Sequence, residues 1–339
     1  MGPTPTSPPD AGRRAAAPAH AWAGGGLLAL LLVAAWAAGA QTAQLEVPSV
    51  DPARGRLGPA DYPRIAMDPR GGTARLPAPA RRIVSLHTNT DEYLYAIVPA
   101  ELIVGVSESA FDRAFSRLPE MMPPARPAAV GNDVDAILAL DPDLVLGTPS
   151  SDATVMGRLA EARIPVFRVE TLVTRLEEVA ENITVIGYLT GQDERARAVR
   201  ARFETELDRI AADCAGLLPT TRIFGHSMTG FSYGDQTLFH DVIRLIGGTN
   251  VAAEGGLHTY ERIDAEDVLE WAPDWVFTWS DHGREADELR RWREDPLLAE
   301  TPAVRAGRII VQDGRDTRRL SPFITVRARV IADAVCTGP

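Results

Sequence analysis

The sequence predicts an α/β fold in which two similar lobes, each built on a parallel-type sheet, are joined by a single long helix. Three observations support this prediction. Apolar strands alternate with helices along most of the chain, one stretch of pattern occurs twice, and an amphipathic helix lies between the two copies. The length of 339 residues is sufficient for two domains.

The first 40 residues have the features of a secretory signal peptide. Arg13 and Arg14 form a positive segment, residues 27–38 form an apolar run, and the small residues Ala38 and Ala40 mark a cleavage site. The apolar run is shorter than the roughly 20 residues that a membrane-spanning helix needs. We therefore expect cleavage after Ala40 and a periplasmic protein, with an uncleaved membrane anchor as the alternative.

A flexible leader is predicted for residues 41–61, because they are rich in Pro, Gly and Ala and show no periodicity. Residues 62–171 are predicted to form the first lobe, which opens with a small hairpin around the turn residues 68–72. The body of this lobe is expected to contain strands at residues 82–84, 103–106, 144–146 and 164–169 and a helix at residues 91–98.

An internal repeat is the most informative feature of the chain. Residues 133–146 and residues 264–277 share one pattern without a gap. Each copy has an acidic start that suits the positive end of a helix, an apolar helix, a Pro-Asp pair at Pro142 or Pro273, and an apolar strand. Proline ends the helix because it lacks an N–H group and its ring clashes with the preceding turn. The repeat indicates two lobes of one design rather than one large domain.

The joining helix is predicted at residues 172–190, where apolar residues recur at helical spacing and Gly191 supplies a stop. Such a helix is about 28 Å long, which is enough to run along both lobes. A second amphipathic helix follows it. Residues 191–339 are assigned to the second lobe, with strands expected at residues 222–224, 249–251, 275–277 and 308–312 and a helix at residues 238–246.

Composition excludes some classes of function. The net charge of -11 argues against a general nucleic-acid binder, because such proteins usually carry a basic surface. The sequence lacks the G-x-S-x-G, P-loop, G-x-G-x-x-G and H-E-x-x-H motifs, so an enzyme is only an alternative. Cys214 and Cys336 follow the predicted cleavage site, and the sequence leaves open whether they form a disulfide or remain two thiols.

Several segments match a known family in their order and spacing. They are Tyr62-Pro63-Arg64, Leu76-Pro77, residues 82–86, residues 104–106, residues 142–145, residues 245–251, Pro273-Asp274 and residues 302–308. Over roughly residues 62–335 the chain resembles the helix-linked class of ABC-transporter substrate-binding proteins, which serves ferric siderophores, haem and cobalamin.

The resemblance implies a protein that captures an iron chelate and delivers it to an inner-membrane ABC permease. A ferric siderophore is the first expectation for the ligand, with cobalamin and haem next. The chelate is a transported ligand, so no cofactor and no catalytic residue are expected. We also expect a monomer, because a delivery protein must present both lobes to one permease.

Candidate ligand-binding residues lie beyond the carboxyl ends of the predicted strands, where open α/β sheets bind ligands. We expect a cleft between the lobes at this position. The candidates are His87, Thr88, Asn89, Arg113 and Thr148 in the first lobe and His226, Tyr233, His258, Trp279, His282, Arg318 and Arg319 in the second.

These candidates divide by their chemistry. Histidine is the commonest metal ligand and also hydrogen-bonds polar groups, although the four candidate histidines match no metal-site spacing. Tyr233, Tyr260 and Trp279 are candidates for an aromatic wall, and the arginines are candidates for charge-assisted bonds to an anionic chelate. A periplasmic transition-metal-binding protein is the alternative, and it predicts three or four histidines around one ion.

Acidic residues are candidates for docking to the permease, because members of the resembled family dock by one acidic residue on the rim of each lobe. The nearest candidates are Asp152 in the first lobe and Asp281 or Glu285 in the second. Exposed ion pairs are individually weak, so we expect such residues to set orientation and association rate more than affinity.

Overall fold

The computed structural model describes residues 50–337. The predicted signal peptide at residues 1–40, its cleavage site and residues 41–49 of the predicted leader lie outside the described residues. Within residues 50–337, no helix combines the length and the apolar character that crossing a membrane requires.

A three-stranded antiparallel sheet precedes the core of the first lobe. Its strands are β1 (Arg56–Leu57), β2 (Arg64–Met67) and β3 (Thr73–Leu76), in that order. The last two form the predicted hairpin. Its turn is stabilised by the Asp68 carboxylate, which accepts the N–H groups of Arg70 and Gly72 at 2.9 and 2.8 Å.

Residues 52–57 differ from the flexible leader that the sequence predicted at residues 41–61. Pro52–Arg54 form a 3-10 turn, and β1 pairs with β2. The cause is Arg54, which is 4% exposed, forms an ion pair with Glu178 at 2.7 Å and donates to the carbonyl of Glu170 at 2.8 Å. These partners lie more than a hundred residues away, so local composition gives no sign of them.

The first lobe is built on a five-stranded parallel sheet. Its strands are β4 (Ile83–Ser85), β5 (Ile103–Ser107), β6 (Ala128–Val130), β7 (Leu144–Gly147) and β8 (Val166–Arg168), in the order β6-β5-β4-β7-β8. The connecting helices are α1 (Thr88–Ile97), α2 (Leu118–Met121), α3 (Val134–Ala139) and α4 (Ala153–Glu161). Ile83 and the adjacent Val84 belong to different apolar clusters, so this sheet is buried on both faces.

Two consecutive helices, α5 (Leu176–Thr190) and α6 (Asp193–Asp213), connect the lobes. Gly191, with a φ of 73°, makes the turn between them. The N–H of Leu176 donates to Asp241 of the second lobe at 2.8 Å, and Arg195 donates to the carbonyl of Ile97 of the first lobe at 2.6 Å. Both helices therefore contact both lobes.

The first connecting helix begins four residues later than the predicted residue 172. Glu178 causes this, because its carboxylate accepts the N–H groups of Thr174 and Arg175 at 2.7 and 3.1 Å and caps the helix there. Leu172, which the helical pattern had placed on the apolar face, is 73% exposed.

The second lobe is built on a four-stranded parallel sheet and a separate antiparallel pair. The sheet contains β9 (Arg222–Gly225), β11 (Thr249–Asn250), β13 (Trp275–Ser280) and β14 (Ile309–Asp313), in the order β11-β9-β13-β14, and the pair is β10 (Phe231–Tyr233) with β12 (Tyr260–Arg262). The helices are α7 (Leu238–Leu245), α8 (Val251–Glu254), α9 (Ala265–Trp271), α10 (Glu285–Glu294), α11 (Pro302–Arg305), α12 (Gly314–Thr317) and α13 (Ile324–Cys336).

The internal repeat forms the same local structure in both lobes. Asp133 caps the N-terminus of α3, and Asp264 caps that of α9. Each helix is followed by a residue of positive φ, Asp141 at 47° and Ala272 at 42°, which stands directly before the proline of the repeat. Both lobes thus end this helix with the same change of backbone direction.

The aspartate after the proline explains why the Pro-Asp pair occurs twice. Asp143 accepts the N–H of Arg82 at 2.9 Å, and Asp274 accepts the N–H of Arg222 at 2.8 Å. These arginines stand at the start of the first strand of each sheet. The aspartate of each repeat therefore connects the start of the following strand, β7 or β13, to the start of the first strand of the parallel sheet, β4 or β9.

Cys214 and Cys336 form a disulfide, with their Cα atoms 5.0 Å apart, which answers the question that the sequence left open. The bond links the end of α6 to the end of α13. Arg329 adds an ion pair with Glu206 at 2.8 Å between the same two helices. The last helix of the chain is therefore fastened to the helix pair that joins the lobes.

Candidate ligand-binding site

Two cavities of about 310 Å³ each lie beyond the carboxyl ends of the parallel strands and share Arg318. The interlobe cavity is lined by His87, Thr88, Asn89, Phe115, Arg318 and Arg319, among others. The aromatic cavity, in the second lobe, is lined by Phe231, Tyr233, Tyr260, Trp279, Arg318 and Arg327, among others. This position agrees with the strand-end rule for open α/β sheets.

A larger cavity of about 870 Å³ lies at the opposite, amino-terminal ends of the strands of the second lobe. It is bordered by Trp275, Arg308 and Val335 and contains none of the predicted site residues. Size alone therefore does not identify the site, and the convergence of polar and aromatic groups favours the two smaller cavities.

The first-lobe wall of the interlobe cavity presents polar groups. His87 Nδ1 accepts the N–H of Asn89 at 3.1 Å, and burial lowers the pKa of His87, so the ring is neutral at pH 7. Because Nδ1 is an acceptor, the proton of the neutral ring is on Nε2. The Thr88 hydroxyl lies 2.6 Å from that of Ser109. His87, Thr88 and Asn89 thus line the same cavity.

A buried ion pair crosses between the lobes at this cavity. Arg319 Nε donates to Glu92 Oε1 at 2.8 Å, and the two side chains are 6% and 4% exposed. The Ser321 hydroxyl donates to the other oxygen of Glu92. Burial raises the pKa of Glu92, and the positive charge of Arg319 opposes that shift. The charge of Arg319 is therefore compensated within the protein.

Two further arginines bridge the lobes in the same way. Arg315 lies 3.3 Å from Glu120 of the first lobe and 2.5 Å from Asp313. Arg117 of the first lobe donates to Asp316 of the second at 2.7 Å. Carboxylates thus balance the arginines on this side of the cleft.

The aromatic cavity is walled by three rings of the second lobe. Trp279 Nε1 donates to the Tyr233 hydroxyl at 2.9 Å. The Tyr260 ring meets that of Tyr233 edge-on, with centroids 5.5 Å apart. The antiparallel strands β10 and β12 hold the two tyrosines opposite each other. Tyr233, Tyr260 and Trp279 therefore line one cavity together.

Arg318 separates the two cavities. Its guanidinium lies 5.0 Å from the ring centroid of Phe115 in the first lobe and 4.5 Å from that of Trp279 in the second. It also donates to Asp281 at 3.1 Å. A ligand that fills both cavities has to displace this side chain.

Five predicted site residues line neither cavity: Arg113, Thr148, His226, His258 and His282. Arg113 is exposed, and its carbonyl accepts a long hydrogen bond from Arg315 at 3.4 Å. Thr148 is 2% exposed, and its hydroxyl lies 2.8 Å from that of Ser150. The His258 side chain is 67% exposed and contacts Asp235 at 3.1 Å.

His226 lies in the core of the second lobe rather than in the cleft. It is 4% exposed, and its ring meets that of Trp292 edge-on with centroids 5.3 Å apart. Burial, with a smaller contribution from the charge of Arg291, lowers the pKa of His226 to about 4. A neutral histidine packed on a tryptophan has a structural role here.

His282, Glu285 and Asp313 form the one group of three potential metal ligands among residues 50–337, with ligand atoms within 4.8 Å of one another. Arg315 Nη2 lies 3.0 Å from His282 Nδ1, and its positive charge opposes a cation there. The other predicted histidines are outside this group. Residues 50–337 therefore offer little support for a transition-metal-binding protein that uses several histidines.

The candidate docking acids lie in different surroundings. Asp152 is exposed and caps α4, and the N–H groups of Val155 and Thr154 lower its pKa. Glu285 is the first residue of α10, with a side chain that is 40% exposed. Asp281 pairs with Arg318, which lines both cavities.

Sequence reasoning missed Arg315 and Arg327 as cavity residues, and it considered Phe115 only as part of the strand-end stretch at residues 111–117. Phe115 lies in the loop after β5, at a strand end that the sequence had located. Arg327 lies on α13, well after Asp313, the last residue of β14, so its sequence position does not follow a strand end. Its signal was periodicity, because buried residues of this helix include Ile324, Arg327, Ala328 and Ile331, which places a charge on an apolar face.

A cleft between two α/β lobes, lined by aromatic rings and charged groups, defines a two-lobed ligand-binding protein. The chain belongs to the periplasmic binding protein family, whose profile matches residues 83–315. This family consists of binding proteins, so the alternative of an unrecognised enzyme is set aside.

Relatives of known name are similar to this chain at 28% identity. A cobalamin-binding protein of Halobacterium salinarum matches over 234 residues, which are 67% of this chain and 60% of that protein. The match thus spans less than two thirds of that relative. The Fe(3+) dicitrate-binding periplasmic protein FecB of Escherichia coli matches over 276 residues, 78% of this chain and 87% of that protein.

Solved structures share the fold at lower sequence identity. A possible iron-binding (periplasmic solute-binding) protein from Staphylococcus epidermidis has a TM-score of 0.65 and 20% identity, covering 76% of this chain and 98% of that one. The periplasmic vitamin B12 binding protein BtuF of Vibrio cholerae has a TM-score of 0.58 and 23% identity, covering 76% and 96%.

Proposed function

We propose that this chain is the substrate-binding component of an ABC importer. It acts in the periplasm as a monomer, holds a metal-containing ligand between its lobes and delivers it to an inner-membrane permease. Membership of the family and the names of the relatives support this proposal. The cleft between two lobes that are joined by helices supports it independently.

Cobalamin is the ligand that we place first. The observation that carries this choice is the pairing of Arg315, Arg318 and Arg319 with carboxylates, which leaves little surplus positive charge in the interlobe cavity. A ferric catecholate siderophore carries several negative charges and needs cations that are not already paired. Cobalamin carries neutral amide groups around a flat ring and a single phosphodiester. Charge pairing thus supports our choice of cobalamin over the ferric siderophore that the sequence favoured.

The aromatic wall also suits a flat macrocycle, because stacked rings bury apolar surface without requiring charge. Relatives named as cobalamin-binding or vitamin B12-binding agree with this choice. Ferric dicitrate is the second candidate, because the relative that is named for it matches over 87% of its length. Haem follows both.

A thermal-shift screen of the purified protein tests the proposal. The panel contains cobalamin, ferric dicitrate, haem, a ferric catecholate, a ferric hydroxamate and bare divalent metals. A ligand present at 100 times its Kd adds about 2.7 kcal/mol to the free energy of unfolding, so a specific ligand gives a clear shift. We expect the largest shift with cobalamin. A larger shift with the catecholate would overturn the charge argument, and a shift only with bare metal would contradict the proposed class of ligand.

A further inference from the structure

Arg327 is a buried cation at the aromatic cavity. It lies on α13, is 5% exposed and lines this cavity. Its guanidinium lies 5.1 Å from the ring centroid of Tyr233 and 5.0 Å from that of Phe239. Aromatic faces attract a cation but do not replace a counter-ion.

The hydrogen-bonding groups of Arg327 are poorly used by the protein. Nη1 donates to the carbonyl of Thr317 at 3.3 Å, and the buried Nε has no acceptor among residues 50–337. No carboxylate of the described residues pairs with this side chain. Arg318 and Arg319, by contrast, pair with Asp281 and Glu92 at 3.1 and 2.8 Å. A buried charge without a counter-ion is unfavourable, so this arrangement leaves a place for an anion.

A second donor lies close by. The Tyr233 hydroxyl accepts from Trp279 at 2.9 Å, and its own proton has no acceptor among the described residues. Tyr233 and Arg327 both line the aromatic cavity, and their ring and guanidinium are in contact. A guanidinium and a phenol are both hydrogen-bond donors to oxygen anions.

We infer that Arg327 anchors one anionic oxygen group of the ligand, a phosphodiester or a carboxylate, inside the aromatic cavity. The uncompensated charge is single, so the ligand that fits carries one such group at this point rather than a cluster of them. The Tyr233 and Trp279 rings contact the neighbouring apolar face of the ligand. This inference rests on the proposed function for the identity of the ligand, in which cobalamin supplies a phosphodiester.

Paired ligands and paired variants test the inference. Cobinamide has the corrin ring of cobalamin but lacks its phosphate and nucleotide. We expect Arg327→Gln to weaken cobalamin binding by roughly 10- to 100-fold, because a hydrogen bond to a charged group is lost. Cobinamide binding should change by less than about threefold, because it has no phosphate for Arg327 to hold. Equal losses for both ligands, or unchanged cobalamin binding, would overturn the inference.

Arg329→Gln is the matched control, because Arg329 lies on the same helix but pairs with Glu206 on α6 at 2.8 Å, outside both cavities. We expect it to leave the affinity for cobalamin unchanged. Arg327→Lys keeps the charge and should retain more affinity than Arg327→Gln. If the lysine variant binds no better than the glutamine variant, charge is not the anchor.

An arm without corrinoids separates this inference from the choice of cobalamin. If the wild-type protein binds no corrinoid, the proposed ligand is wrong. Inorganic phosphate and citrate are then the probes, measured by the thermal midpoints of the wild-type protein and of Arg327→Gln. We expect these anions to stabilise only the wild-type protein. Equal responses of the two proteins would overturn the role of Arg327 by itself.

Discussion

Two buried residues, one in each lobe, make the stability of the fold respond to pH in opposite directions. Asp91 on α1 is fully buried, and burial raises its pKa to about 7, with hydrogen bonds from Ser107 opposing the shift. His226 in the second lobe is also buried, and burial lowers its pKa to about 4. Both groups are held in their neutral forms at mildly acidic pH. The pH ranges in which these two groups change the free energy of unfolding overlap, so a variant is needed to separate their contributions.

We predict that, between about pH 4 and 7, the free energy of unfolding of Asp91→Asn rises with pH relative to that of the wild-type protein, because the variant loses the Asp91 contribution and keeps the opposing contribution of His226. The unfolded state releases the Asp91 proton first, so the Asp91 contribution to the wild-type free energy of unfolding falls as pH rises through this window, by at most about 1.4 kcal/mol per pH unit. Urea unfolding at several pH values, on the wild-type protein and the variant, measures the difference. Asp287→Asn, on the exposed side of α10, is the control. Parallel curves for Asp91→Asn and the wild-type protein would contradict the pKa assignment.

Trp279 provides a second prediction at the same scale. Its ring walls the aromatic cavity and donates to Tyr233 at 2.9 Å. We expect Trp279→Ala to weaken binding of the ligand found in the thermal screen by roughly 10- to 100-fold, as is typical of a central aromatic contact. Trp275→Ala, at the other end of β13 and outside both cavities, is the matched control. Titration calorimetry measures the ligand affinity of both variants. Equal losses of affinity would show that the ligand does not bind in the aromatic cavity.

At the scale of elements, the disulfide connects a helix that joins the lobes to a helix that lines the aromatic cavity. The longer, α6, contacts both lobes, and α13 carries Arg327 at the aromatic cavity. Cys214 and Cys336 stand at the ends of these helices, 122 residues apart in the chain. A bond over such a separation restricts the unfolded chain strongly.

We predict that the double variant Cys214→Ser, Cys336→Ser lowers the free energy of unfolding by about 2–5 kcal/mol. Denaturant titration of the purified protein measures this loss. Wild-type protein treated with a reductant serves as the control, because it loses the same bond without a change of sequence. Identical unfolding midpoints for oxidised wild-type protein and the double variant would show that the bond adds no stability.

At the scale of the whole molecule, ion pairs between the lobes hold the cleft in its present form. Arg319 with Glu92 and Arg117 with Asp316 each join a residue of one lobe to a residue of the other. The helix pair joins the lobes elsewhere. These contacts hold the two lobes in one arrangement. A permease-docking surface that spans both lobes requires such an arrangement.

We predict that charge reversal of the candidate docking acids reduces transport and leaves ligand affinity unchanged. Asp152 caps α4 on the first lobe and Glu285 begins α10 on the second. Asp152→Arg and Glu285→Arg should each slow delivery about tenfold, because a rim charge acts mainly on association rate and orientation. Ligand uptake into vesicles that contain the permease is the measurement. Asp135→Arg, another exposed acid of the first lobe, is the control, and an equal effect there would remove the special role of Asp152.

Much of the fold follows from the sequence because its signals are local. The Pro-Asp repeat predicted two lobes of one design. Asp143 and Asp274 accept equivalent backbone N–H groups in the two lobes. The hairpin at residues 68–72 needed only its own turn residues. The start of α5 was predicted four residues early, because the helical pattern continues to residue 172 whereas the Glu178 carboxylate caps the helix at Arg175.

What the tertiary structure alone decided is which side chains face the cleft and which charges are already paired. His87 and His226 both follow the first strand of the parallel sheet in their lobe, yet His87 lines a cavity while His226 packs on Trp292. Arg319 is neutralised by Glu92, 227 residues away in the chain, and Arg327 is not neutralised by any described residue. The physical reason is that residue type and periodicity set the local backbone, whereas the partner of a side chain is whatever distant segment the packed fold brings against it.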